Sequence, residues 1–163
     1  NEDIKKFITE HFTVSWEYWY RFQIPYLVRH RAFFGDIESW NVWGSIGLVQ
    51  IRSLIEEINK DISSLPKNYT DFYLYTLRHK PKRGINASSI SDISSIPRAT
   101  VIRKLKTLEK NKHIMRNKRL EYFLAPKSDN LKGFEKNYLI NQRSWSDYCT
   151  TMFNLMKFSK FSI

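Results

Sequence analysis

Residues 86–114 read NASSISDISSIPRATVIRKLKTLEKNKHI, and the fold turns on how this stretch divides. Ser88 or Ser89 is placed to cap a short helix, because a serine hydroxyl competes well for the unpaired N–H groups of a first turn. That helix directs Ile90 and Ile93 inward, and Ser94 and Ser95 form a turn. Pro97 suits the first position of a second helix, where its missing N–H would have had no partner. Ile96 is a poor cap by propensity and is expected to be buried between the two helices. In the second helix, about 97–111, steps of about 100° put Val101, Leu105 and Leu108 on one face and Ala99, Arg103, Lys106 and Lys110 on the opposite one. A helix packed by one apolar stripe, with three cations and one small residue opposite, is shaped to lie in a major groove. Asn111 suits a left-handed C-cap. Ile114 to Arg116, then Arg119 to Leu124 alternating through Leu120, Tyr122 and Leu124, read as a β-hairpin over about 114–124 whose tip, Arg116 to Arg119, is cationic.

Working outward, the chain of 163 residues is close to one domain by length, and carries 27 Lys plus Arg against 16 Asp plus Glu, a formal charge of +11. From Arg78 to Arg119 thirteen basic residues face two acids, Asp92 and Glu109, while the remainder is balanced at 14 of each. The whole excess therefore sits in the 42 residues around the helix pair. Aromatic residues are distributed inversely: twelve of the 25 precede Gly44 and none lies between Arg78 and Glu121. Single strands are held by stacking bases on rings, so a cationic segment without one ring argues for duplex phosphates and groove edges. The plain alternative is a solvated basic face.

The flanks read as helices. Residues 3–34 open with Ile4, Phe7, Ile8, His11 and Phe12 at helical spacing, and Pro25 should end or kink that helix. A second helix starts near Ser39 and carries Ile51, Leu54, Ile55, Ile58 and Ile62 until Leu65-Pro66, with Gly44 and Gly47 open to close approach by another backbone. Thr70 reads as the cap of a short helix over 71–80. Beyond Pro126, residues such as Phe134, Tyr138, Trp145, Tyr148 and Met152 imply one or two C-terminal helices. The expected organisation is a helical, aromatic-rich region over 1–68, the basic module over 69–126 and a helical region over 127–163.

With these residues in place, the chain resembles the winged helix-turn-helix family of bacterial transcriptional regulators. The run ISDISSIPRATV, Ile90 to Val101, looks like the family's alternation of apolar and small residues, a tight turn and then Ile-Pro-Arg-x-Thr-Val. It continues as Arg-x-Leu-x-x-Leu-Glu through Arg103, Leu105, Leu108 and Glu109, followed by the wing. The resemblance spans Tyr69 to Pro126. Ser95 and Lys112 stand where the family usually has Gly, which is tolerable if Asn111 turns left-handed. The flanking helices are similar to the MarR-type arrangement, where they build a dimer, although the wing is shorter and lacks that group's Asp-x-Arg signature.

The resemblance implies a mainly α fold with a small β-hairpin wing, flanked by N- and C-terminal helices, and a sequence-specific duplex-binding regulator. Arg98, Ala99, Thr100 and Arg103 would face the groove, where an Arg donates to guanine O6 and N7 and Ala99 or Thr100 meets a thymine methyl. Thr100 equally fits a hydroxyl bonded to backbone at the helix start. Lys104, Lys106 and Lys110 are assigned to phosphates, and Arg116, Lys118 and Arg119 to the adjacent backbone or minor groove. Lys80, Lys82 and Arg83 add long-range attraction. The flanking helices would form a homodimer that sets two recognition helices about 10 base pairs apart on a pseudo-palindrome. The alternative is a winged helix serving as a protein-interaction or RNA-associated module without DNA sequence specificity.

The N-terminal aromatics suit core and dimer interface, and alternatively a pocket for a small apolar or aromatic effector built on Trp16, Trp19, Tyr20, Trp40 and Trp43. No catalytic constellation, cofactor motif or metal-ligand spacing is read: His11, His30, His79 and His113 are scattered, and Cys149 is alone. Asp36-Glu38 and Glu56-Glu57 read as ordinary helix-surface or cap acids. The longest uncharged, mostly apolar stretch, Ser39 to Ile51, is too short and polar to span a bilayer, so a soluble protein is expected. A single Cys and the absence of a signal-peptide pattern point to a reducing, cytoplasmic setting with no membrane partner.

Overall fold

The structure is a computed structural model that describes residues 2–57, 65–68, 71–72, 74–75, 83–125 and 128–158. It is mainly helical, with one two-stranded antiparallel sheet among the described residues. The elements are α1 (Glu2–Glu10), α2 (Phe12–Phe34), α3 (Ile37–Glu57), α4 (Ala87–Ser94), α5 (Arg98–Lys110), β1 (Ile114–Arg116), β2 (Tyr122–Leu124) and α6 (Ser128–Phe158). They form two compact units, His30–Glu135 and the pair of segments Asn1–Arg29 and Lys136–Ile163. Residues 30–57, which the sequence places with the N-terminal region, thus belong with the basic module.

In the unit His30–Glu135, α2 ends at Gly35, whose φ of +87° is a left-handed conformation that glycine alone adopts freely. Asp36 then starts α3: its carboxylate accepts from the Ser39 N–H at 2.7 Å and from the Ser39 hydroxyl at 3.0 Å, the charged form of an N-cap. Val42, Trp43, Ile46, Gln50 and Leu54 recur at helical steps and are buried, which is the face α3 turns to α4, α5 and β2. Ile51 and Ile55 of the expected stripe are exposed, because they lie off that face; Ile58 and Ile62 fall outside the described residues. Gly47 meets a side chain, Leu124, rather than a backbone, and Gly44 has open space beside it.

The helix pair forms as the sequence implies, with local differences. Asn86, not Ser88 or Ser89, caps α4, because its Oδ1 reaches both the Ser88 and Ser89 N–H groups at 3.0 Å. Ile90 is fully buried, but Ile93 is 46% exposed, since it lies three residues on and rotates off the narrow packed face of an eight-residue helix. The turn is stitched by hydroxyls: Ser94 donates to the Ile90 carbonyl at 2.7 Å and Ser91 to the Ile96 carbonyl at 2.6 Å. Ser95 takes the left-handed conformation at φ 56°, and Ile96 is buried. Pro97 stands just before α5 in extended geometry, one residue outside the position expected for it. Val101, Leu105 and Leu108 are buried almost completely, each contributing roughly 1.5–3 kcal/mol by transfer from water.

Asn111 is not left-handed; its φ is −79°, and Lys112 takes the positive φ of 59° instead. The hairpin pairs Ile114 with Leu124, Met115 with Phe123 and Arg116 with Tyr122. Its second strand starts at Tyr122 rather than Arg119. The Asn117 side chain explains the delay: Oδ1 accepts from the Arg119 and Glu121 N–H groups and Nδ2 donates to Glu121, closing a loop over 117–121. On the outer side of β2, Tyr122 and Ile85 exchange backbone hydrogen bonds and Gln50 Oε1 accepts the Leu124 N–H at 2.9 Å, so the sheet edge is covered. Gly84 makes room for this, because a Cβ there would lie 2.5 Å from the Phe123 ring.

The unit of residues 2–29 and 136–158 is an antiparallel pairing of α1–α2 with α6. Trp19 meets Tyr148, Phe22 meets Trp145, and Arg29 Nε donates to Asn141 at 2.8 Å, so numbers rise on one side as they fall on the other. α1 and α2 join across His11, whose N–H still donates to the Phe7 carbonyl and whose carbonyl accepts from Ser15. Pro25 does not end α2, which runs on to Phe34, and it is exposed. The C-terminal region is one helix. The short helix expected over 71–80 lies largely outside the described residues, as does Thr70; Asn68 accepts the Asp71 N–H at 2.8 Å.

Candidate nucleic-acid interface

The cationic residues of α5 are sorted by the face on which they fall. Ala99, Arg103, Lys106 and Lys110 are exposed on the side away from Val101, Leu105 and Leu108, and Thr107 is exposed beside them. Among the described residues Arg103, Lys106 and Lys110 make no ion pair. Thr100 is half-buried at the first turn. Arg98 is exposed, and its Nε donates to the Ser88 hydroxyl at 3.1 Å, which fastens the front of α5 to the start of α4.

Lys104 departs from its assignment to phosphate. It is only 8% exposed, and its ammonium lies 2.7 Å from Asp36 and 3.1 Å from Glu38, at the start of α3. Position 104 adjoins the Leu105 side of the helix, so a long side chain there runs back over the packed face and delivers its charge to the α3 N-terminus. Burial pulls the Lys104 ammonium down, but the two carboxylates outweigh it and raise it above the ordinary lysine value. Burial likewise pushes Asp36 up, and the hydrogen bonds from Lys104 and Ser39 outweigh it, holding the carboxyl below the usual range. Asp36 does cap a helix, as expected, and with Glu38 it also ties the start of α3 to Lys104 of α5. A cation three residues from Val101 and an acidic pair sixty-odd residues upstream carry no joint signal in the sequence.

The hairpin presents Arg116, Lys118 and Arg119, all exposed. Arg116 Nε lies 3.5 Å from Glu109, a partly exposed pair that leans β1 on the end of α5. Lys118 and Arg119 make no ion pair among the described residues. Beside them the tip carries Leu120, 59% exposed at a φ of 60°, an apolar residue that alternation had placed within a strand. Arg83 is exposed; Lys80 and Lys82 lie outside the described residues. Next to β1, His113 sits against the rings of Phe33 and Phe34, and burial pulls its imidazole below the ordinary value.

The five aromatics assigned to an effector divide between the units. Trp43 is buried and Trp40 stacks on His30 at 3.8 Å between ring centres, within the core of one unit. In the other, Trp16 and Trp19 line a pocket of about 210 Å³ with Ile8, Ser15 and Tyr148, and Tyr20 is exposed. No helix among the described residues is long and apolar enough to cross a membrane. No protein-family model, curated protein or solved structure matches this chain.

Proposed function

We propose that the chain is a sequence-specific double-stranded DNA-binding transcriptional regulator of winged helix type, with α5 in the major groove and the wing on the adjacent backbone or minor groove. The observation that carries the reading is the exposed row Ala99, Arg103, Lys106 and Lys110. Its cations are spaced three and four residues apart without carboxylate partners among the described residues, an arrangement that costs a helix roughly 0.2–0.5 kcal/mol per like-charged pair. The one cation of α5 that turns to the core is, by contrast, neutralised twice. A surface that retains repulsion outward while neutralising charge inward is matched to a polyanion. The small Ala99 lets the helix approach base edges closely, and Arg103 has the planar fork that reads guanine.

The test is a titration of the chain against random duplex, structured RNA and a genomic fragment library at several salt concentrations. Steep salt dependence with preference for particular duplex fragments supports the reading. Arg103→Ala should then weaken the selected site by about 1–3 kcal/mol and relax preference at one base pair. Equal binding of all duplexes, or tighter binding of folded RNA, overturns it.

A further inference from the structure

The loop between β1 and β2 is closed on itself. The Asn117 N–H donates to the Glu121 carbonyl at 3.0 Å, the Leu120 N–H donates to the Asn117 carbonyl at 3.1 Å, and Asn117 Oδ1 accepts from the Arg119 and Glu121 N–H groups. Leu120, held within this net, is 59% exposed at a φ of 60°. Exposure alone says little, because single apolar side chains are common on protein surfaces. The conformation says more. Of the three non-glycine residues with positive φ among the described residues, Ser95, Lys112 and Leu120, only Leu120 is apolar. A left-handed residue crowds its Cβ against the next carbonyl, which Gly avoids and Asn tolerates but Leu does not. Leu120 buries too little for packing to offset that strain, so its place at the apex calls for another reason.

We propose that Leu120 is an apolar wedge that enters the minor groove of a DNA duplex and unstacks one base-pair step, bending the duplex toward the major groove. The inference rests on the duplex binding proposed above and states what the hairpin does there.

Charge brings the hairpin to the duplex, and the leucine decides where it lies. Lys118 and Arg119 are exposed beside the apex without ion pairs among the described residues, while Arg116 lies 3.5 Å from Glu109. Glu121, the acid of this tip, accepts from Asn117 Nδ2 at 2.6 Å and so has its carboxylate engaged within the loop. Cations alone suit the phosphate ridge and the minor groove equally. On the ridge a leucine stays in water and adds nothing. The minor groove, about 6 Å wide, excludes an α-helix of roughly 10 Å but admits one side chain on a narrow turn. There an apolar group finds contact between unstacked base pairs, the position that Leu, Ile, Met and Phe wedges take. A wedge must not fold back when pressed against a stack, and the bonds through Asn117 set the Leu120 backbone before contact. Pyrimidine–purine steps unstack most easily, so the wedge selects such a step without a hydrogen bond to its bases.

The test uses the full chain and the tightest fragment selected from a random duplex pool, labelled at both ends for energy transfer and carrying 2-aminopurine at one adenine at a time. The unaltered chain should bend the fragment by at least about 20° and raise 2-aminopurine fluorescence at one step. Changing that step from pyrimidine–purine to purine–purine should weaken binding roughly fivefold or more. Leu120→Asn, which suits the left-handed position, should keep the circular dichroism and the steep salt dependence but lose the bend, the fluorescence and the step preference. Leu120→Met should retain all three, because its side chain is also slender and apolar. If Leu120→Asn disturbs the hairpin, Leu120→Gln, matched to Met in length, takes its place. A straight complex, a bend that survives Leu120→Asn, or a Leu120→Met chain that behaves like Leu120→Asn overturns the wedge and leaves duplex binding standing. Failure to bind any duplex more tightly than folded RNA overturns the duplex reading, and the wedge with it.

Discussion

Lys104 and Lys106 are neighbours in composition and opposites in placement, and replacing each by Met separates the buried ion pair of Lys104 from the phosphate contact proposed for Lys106. Lys106 is exposed, so Lys106→Met should change folding stability by less than about 0.5 kcal/mol. If it neutralises one phosphate, its loss makes the slope of log K against log salt shallower by about 0.9. Lys104→Met keeps the packed stem but removes an ammonium held by two carboxylates at 2.7 and 3.1 Å. Charge-assisted hydrogen bonds contribute about 1.5–3 kcal/mol each when sheltered. Asp36 and Glu38 are half exposed and rehydrate, and Met escapes the desolvation of the ammonium, so the net loss should be about 1 kcal/mol. The salt slope should not move.

The reverse perturbation is harsher. Asp36→Asn with Glu38→Gln keeps the cap on α3 but leaves Lys104 buried without a counter-charge, a situation that costs about 3–5 kcal/mol in fully buried pairs and is reduced here by the exposure of the acids. Urea denaturation measures the stabilities, and anisotropy of a labelled duplex between about 50 and 200 mM salt measures the slopes. If Lys104→Met flattens the salt slope as Lys106→Met does and leaves the urea midpoint in place, Lys104 reaches phosphate and its placement against α3 is wrong.

Gly84→Ala should lose about 1–3 kcal/mol by overpacking, because the new Cβ would sit 2.5 Å from Phe123 and 2.6 Å from Glu121; an unchanged urea midpoint would show that Ile85 does not pair so closely with β2. Burial holds the His113 imidazole below 6.5, so the unfolded chain binds the proton first: stability is full above about pH 6.5 and is lost as pH falls through the lowered folded value. His113→Leu should flatten that limb in thermal melts from pH 7.5 to 5, and an identical pH profile would refute it. Leu120→Asn should raise stability by about 0.5–1 kcal/mol, since Asn tolerates the left-handed conformation and Leu120 buries little; a lower melting temperature would mean that Leu120 makes a contact its exposure hides.

What the sequence made legible was whatever depends on local period. Val101, Leu105 and Leu108 declare a face by spacing alone, and Ile96 declares its burial by being a poor cap that nonetheless precedes a helix. Boundaries went astray where a side chain two or three residues away competes for the same backbone group. Asn86 outbids Ser88 and Ser89 for the first turn of α4, and Asn117 delays β2 by three residues, both through Asx bonding that pattern reading does not rank. The positive φ moved from Asn111 to Lys112 because the Asn111 N–H still bonds the Thr107 carbonyl, so the helix closes one residue later than an Asn cap suggests.

Exposure in the candidate site was legible on one side of α5 and illegible on the other for the same reason. Exposure follows from period, so Arg103, Lys106 and Lys110 could be placed outward without knowing what lies inward. Lys104 could not, because its position angle falls at the margin of the packed stripe, and at the margin the outcome depends on a distant partner. Asp36 and Glu38 are that partner, and their own reading as cap acids was complete in local terms: a cap needs only Ser39. The same logic governs α2. A helix whose apolar residues recur every fourth position looks merely aromatic-rich in composition, and its row becomes visible only when exposure is known. Period states which residues share a row; only packing states whether the row is already covered, and here it is not.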